Sequence, residues 1–138
     1  LATREFYEQV GLQDNNLFMY SDEVDMGLRA RKLGILIGVT KNALCWHEHI
    51  NPPESGNSRA HYVRYLTGRN KVYVSSKHCG HVQQIYIVGI YFFGSIAKLV
   101  FNAALFRKNP AISYCYMIMG TVMGAMNKMS PNRFSQPK

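Results

Sequence analysis

No carboxylate follows Glu54: all eight Asp and Glu residues lie at or before it. Five Lys and Arg accompany them up to residue 58, and eleven occupy residues 59–138 with no acid to oppose them. The chain is therefore electrically divided, and its basic, Tyr- and Phe-containing second part suits an anionic partner such as membrane head groups, phosphates or nucleic acid. Cysteine is also scarce. Cys45, Cys79 and Cys115 form an odd set without a CxxC spacing. That argues against a disulfide framework and a cysteine-based zinc site, and fits a reducing compartment. Charged residues are only 17% of the chain against 47% hydrophobic, so a disordered tail is excluded and a folded core expected. A length of 138 residues leaves room for about one domain, which excludes separate substrate and cofactor domains.

Several motifs are missing. Without GxxxxGK[ST] there is no P-loop, and without HExxH no zincin protease. The basic residues are spaced singly and no RNP, KH or zinc-finger pattern accompanies them, so nucleic acid is not expected as a partner. Leu1 to Gln9 contains Arg4, Glu5 and Glu8 and does not read as a signal peptide; the chain reads as the middle of something longer. Long apolar runs fall short as well. The uncharged stretches cover 16 residues (82–97) and 19 residues (109–127), against roughly 20 for a spanning helix. Helices lying on or dipping into a membrane surface are favoured, with Lys98 snorkelling and Arg107 and Lys108 at the head groups; ordinary packing helices are the alternative. Gly120 and Gly124 form a GxxxG that chance produces often, and it carries no weight.

The signals present begin with those for helices. Thr3 can cap a helix over Arg4–Val10, stopped by Gly11. Ser21 or Asp22 can cap the next, whose first turn holds Asp22, Glu23 and Asp25 and whose last holds Arg29, Arg31 and Lys32 before Gly34. Val24 and Leu28 fit its buried stripe. Ile35–Val39 and Ala43–Trp46 read as two strands, and residues 51–57, with two prolines and Gly56, as a loop. A helix then runs from Ser58 to about Lys77, with Tyr62, Tyr65, Arg69 and Tyr73 at helical spacing. Residues 1–80 are expected to form a catalytic part and residues 81–138 a basic, apolar helical tail.

Two groups could carry chemistry. Asp22, Glu23 and Asp25 crowd like charges, which raises a carboxylate's proton affinity and can hold a proton acceptor near neutral pH; a solvated first turn is the simpler reading. His47 and His49 alternate around Glu48, so on extended chain both could face one metal ion; strand-end surface histidines would look the same.

The order of these residues is more specific than any one group. Gly11, Asp14, Phe18, Asp22, Glu23, Asp25, Arg29, Arg31, Gly34 and His47 write "GxxD…FxxxDExDxxxRxRxxG…H", which resembles the acceptor half of family 2 glycosyltransferases, especially bacterial rhamnosyltransferase-like members. Tyr65 to Asn70 is similar to the tyrosine-rich stretch ending in Arg-Asn, and Gly120 to Arg133 to the closing segment. The resemblance implies an α/β, A-type fold, here its C-terminal part followed by amphipathic helices. It implies an inverting transferase acting from a nucleotide-sugar donor on a saccharide or lipid-linked acceptor, in cell-surface polysaccharide synthesis at the cytoplasmic face of the cell membrane. The acidic pair is Glu then Asp in the family and reversed here, so the base is Glu23 or Asp22. The family histidine helps hold a divalent cation, Mg²⁺ or Mn²⁺, and His47 matches it better than His49. Asp25, Arg29, Trp46, Arg69 and Asn70 are the expected substrate-binding residues. The family's DxD lies in a nucleotide-binding half that precedes this region, so the chain is expected to be a fragment inactive alone. The rival reading is a non-enzymatic basic module for a membrane surface or nucleic acid.

Overall fold

The computed structural model describes residues 2–17, 19–38, 41–42, 46 and 58–129. Helix α1 (Arg4–Val10) begins where a hydroxyl serves it: Thr3 Oγ1 accepts from the Phe6 backbone N–H at 3.2 Å. Gly11 closes it at a φ of 83°, which favours a residue without a Cβ. Helix α2 (Asp22–Lys32) carries its carboxylates first and its cations last, as its dipole favours. Its start departs from the capping expectation. Tyr20 and Ser21 are both left-handed, and Ser21 makes no side-chain cap. Gly34, left-handed after Leu33, is the expected C-terminal stop.

The α/β expectation is overturned: the described residues form helices and no strand. A strand exists by hydrogen-bonding to a neighbour, and the run after α2 has none among the described residues. Residues 35–38 leave α2 as open chain, with Leu36 97% exposed and Ile37 also exposed. Short β-branched runs do not by themselves decide between strand and coil. Of the second expected strand only Trp46 is described, and it is exposed; residues 43–45 lie outside the described residues.

Helices α3 (Ser58–His78), α4 (His81–Ala104) and α5 (Lys108–Ala125) make the body. A turn at Gly80, whose N–H is accepted by Gln83 Oε1 at 3.3 Å, sends α4 back antiparallel to α3. A second turn brings α5 parallel to α3, with Pro110 in its first turn, where no donor is missed. Glycines let α3 and α5 meet. A Cβ on Gly68 would stand 2.6 Å from Met117 O, and Cβ atoms on Gly120 and Gly124 would overlap the carbonyls of Tyr65 and Arg69. The GxxxG pair is thus the contact face of α5, with Gly68 opposite it.

Along these helices the usual sorting is inverted. Ser95, Asn102, Ser113 and Thr121 are buried, whereas Val82, Ile85, Phe93, Val100 and Phe101 are exposed. Three of these are satisfied within their own helix: Ser95 Oγ donates to Tyr91 O at 2.5 Å, Asn102 Nδ2 to Lys98 O at 2.7 Å and Thr121 Oγ1 to Met117 O at 2.9 Å, while Ser113 Oγ lies 2.9 Å from His61 Nδ1 of α3. Helix α4 has 24 residues, about 36 Å at the α-helical rise, against a hydrocarbon core of roughly 30 Å. Residues 82–97 continue to Ala104 as one unbroken helix, through the polar positions that interrupt the sequence pattern. It is the one helix among the described residues long and apolar enough to cross a membrane, and only 11% of its most apolar window is buried. A small apolar cluster of Leu17, Val74 and Met129, joined by Leu28 and Tyr73, ties the N-terminal segment to α3.

Candidate functional site

Asp25, and not Val24, is the buried centre of α2: its exposure is 0%, while Val24 is 48% exposed. Asp25 Oδ2 accepts from Arg29 Nε at 3.0 Å, and Oδ1 lies 2.7 Å from Lys77 Nζ and 2.8 Å from His78 Nε2. Burial opposes ionisation of Asp25, but the bonds from Lys77 and His78 and the charges of Lys77 and Arg29 outweigh it and lower its pKa. Lys77 also reaches Asp14 Oδ2 at 2.7 Å, and Tyr73 donates to the same oxygen at 2.9 Å. Burial of Asp14 is likewise outweighed, by bonds from Lys77, the Asn16 N–H and Tyr73, and its pKa falls to about 2. Arg29 extends the network, donating through Nη1 to Val10 O and through Nη2 to Leu12 O at 2.9 Å. One arginine thereby fixes the end of α1 to α2.

A second network fixes the start of α2. Asn70 Nδ2 donates to Met19 O at 2.7 Å and to Tyr20 O at 3.0 Å, holding the left-handed turn that introduces the helix. Arg69 Nε donates to Asn70 Oδ1 at 2.9 Å and its Nη2 to Asn16 O at 3.3 Å; its guanidinium stands 5.6 Å from the centre of the Tyr65 ring. Arg69 and Asn70 are both buried. Arg69 pairs with neither Asp22 nor Asp25.

With α2 held at both ends, Asp22 and Glu23 project from its first turn. Gln13 Nε2 donates to Asp22 Oδ2 at 3.1 Å. Glu23 is exposed and its pKa is raised, first by its hydrogen bond with Asp22 and further by burial and Asp22's charge, against one backbone hydrogen bond that lowers it. It lines a cleft of about 740 Å³ with Thr3, Phe6, Tyr7, Met26 and Ile37. That is the size of a small-molecule site.

The structure thus brings Asp22 and Glu23 together, with Glu23 at a cleft, and sends Asp25, Arg29, Arg69 and Asn70 into the scaffold beneath them. Those four are engaged with protein groups, and Asp25 has no surface left for a substrate. Trp46 is exposed. His47 and His49 lie outside the described residues. Among the described residues no three His, Cys, Asp or Glu side chains are grouped so as to hold a metal ion. Sequence reasoning missed Lys77 and His78 as partners of α2. They stand 52 and 53 positions from Asp25, beyond any local pattern. Compared with known proteins, the chain matches no family model, no curated protein and no solved structure.

Proposed function

We propose that this chain supplies the acceptor-side catalytic segment of a membrane-associated glycosyltransferase, which moves a sugar from a nucleotide sugar to a saccharide or lipid-linked acceptor with inversion. The observation that carries the reading is Glu23, an accessible carboxylate of raised proton affinity beside a cleft of ligand size. An acceptor hydroxyl must shed its proton as its oxygen bonds to the anomeric carbon and the donor's bond to the diphosphate breaks. A carboxylate takes that proton better the higher its pKa, provided it is ionised at working pH. Asp22 supplies the elevation, and the buried ion cluster around Asp25 fixes the turn from which Glu23 reaches out. The ordered motif set from Gly11 to Asn70 favours sugar transfer over other proton transfers. The apolar outer surface of α4 supports work at a membrane; its cytoplasmic face is proposed on the resemblance alone.

In the enzyme containing this chain, Glu23→Gln should lower turnover by about 10²-fold or more with donor binding nearly unchanged, the usual size of general-base catalysis. Asp22→Asn should keep more activity and shift the rising limb of the pH–rate profile to lower pH, since Glu23 loses the neighbour that raises it. Normal turnover in Glu23→Gln with a dead Asp22→Asn would move the base to Asp22. Normal turnover in both would remove the acidic pair as the base.

A divalent cation belongs to this proposal through the resemblance alone, with His47 its principal ligand and His49 a lesser one. Titration of Mn²⁺ by electron paramagnetic resonance should show weaker binding in His47→Ala than in His49→Ala. Equal affinity in both variants and the unsubstituted enzyme would remove the assignment.

A further inference from the structure

Arg64 of α3, Lys98 of α4 and Tyr114 of α5 meet at one level of the bundle. Arg64 Cζ lies 5.2 Å and Lys98 Nζ 5.8 Å from the centre of the single Tyr114 ring. Each cation gains a weak attraction from the ring, but two cations gathered on one side chain lie within about a screening length, roughly 10 Å, and repel. Among the described residues nothing acidic answers them. Neither forms an ion pair among the described residues, and the chain has no Asp or Glu after Glu54. By contrast, Arg29 and Lys77, which also converge, share Asp25.

The surroundings narrow the missing anion. Arg64 and Lys98 are exposed, so a ligand can reach them. Lys98 sits on the seam of α4, between buried Ser95 and Asn102 on one side and exposed Phe93, Val100 and Phe101 on the other. Arg107 and Lys108, at the turn between α4 and α5, make the same end of the bundle more basic. Cations beside an apolar helix face match a phosphate joined to hydrocarbon, more than a free ion.

We propose that Arg64 and Lys98, gathered on Tyr114, hold the phosphate of an anionic lipid whose chains lie along the outward face of α4. The site is independent of the sugar-transfer chemistry at Glu23. The full chain in neutral detergent micelles, titrated with dioleoylphosphatidylglycerol and read by native mass spectrometry, tests it. The double variant R64Q/K98Q should lose at least about tenfold in affinity, following the contribution of one interfacial cation twice over. R64K/K98R, which keeps both charges, should stay within about threefold. K32Q/K128Q, with the same net charge as R64Q/K98Q but altered elsewhere, should bind like the unsubstituted chain. Equal loss in both glutamine doubles, or none in R64Q/K98Q, overturns the site. Phosphatidylcholine bound as tightly overturns recognition of anionic charge, and inorganic phosphate bound as tightly overturns the lipid. Circular dichroism confirms unchanged helicity, and single variants R64Q and K98Q, each expected to lose about fivefold, carry the test if the double fails to fold.

Discussion

At Asp25 a charge removed from water is answered by Arg29, Lys77 and His78, and the substitution most damaging to the scaffold is the one that leaves those partners facing nothing. Asp25→Ala should cost about 3–5 kcal/mol in urea unfolding followed by helical signal, the usual penalty for breaking a buried pair. The pH dependence has a definite sign. Asp14 and Asp25 have lowered pKa values when folded, so the unfolded chain binds protons more readily; their stabilisation is present above the ordinary 3.8 and lost as pH falls towards about 2 for Asp14. Lys77 has a raised value, so its share is complete below the ordinary 10.5 and lost as pH rises through its higher folded value. Melting temperature should therefore be level across the middle of the range and fall at both ends, with a weaker acid limb in Asp14→Asn. Glu23 and Asp22 were legible in sequence because a helix start and its first-turn acids are local features. The burial of Asp25 was not, because its partners arrive from the far end of α3.

Between elements, the α3–α5 seam is where side-chain volume matters most. Gly120→Ala places a methyl group into the Tyr65 carbonyl and should destabilise by about 1–3 kcal/mol or more, as over-packing does. Gly94→Ala on α4 meets nothing within 4 Å and should be neutral or stabilising by up to about 1 kcal/mol, since alanine is the better helix former. Paired thermal melts separate the two, and equal shifts would mean that the seam is not formed in solution. The first two helices were readable from Thr3, the first-turn acids of α2 and Gly34, each a local signal. Spacing could not give weight to Gly120 and Gly124, because a glycine pair becomes a contact only when a partner such as Gly68 stands opposite. Residues 35–38 misled for the complementary reason: β-branched residues favour a strand only where another strand receives their hydrogen bonds.

For the whole molecule, the inverted placement of polar and apolar side chains bears on how the chain meets a membrane. Ser95 and Asn102 are turned inward and bonded to their own helix, so that beside Lys98 the outward side chains of α4 include Val82, Ile85, Phe93, Val100 and Phe101. Flotation with anionic liposomes should therefore leave the chain bound after both high-salt and carbonate washes; release by either returns α4 to the membrane surface. The Asn70 side chain that grips Met19 O and Tyr20 O bears on the order of assembly. Its two bonds close a loop of about 50 residues, so the turn in front of the acidic pair cannot be completed by local collapse and must wait for α3 to arrive. Until then the N-terminal segment has its motif but not its shape. A nascent or truncated chain lacking residue 70 should leave the carboxylates on a frayed helix start, because the side chain that closes the turn in front of them has yet to arrive.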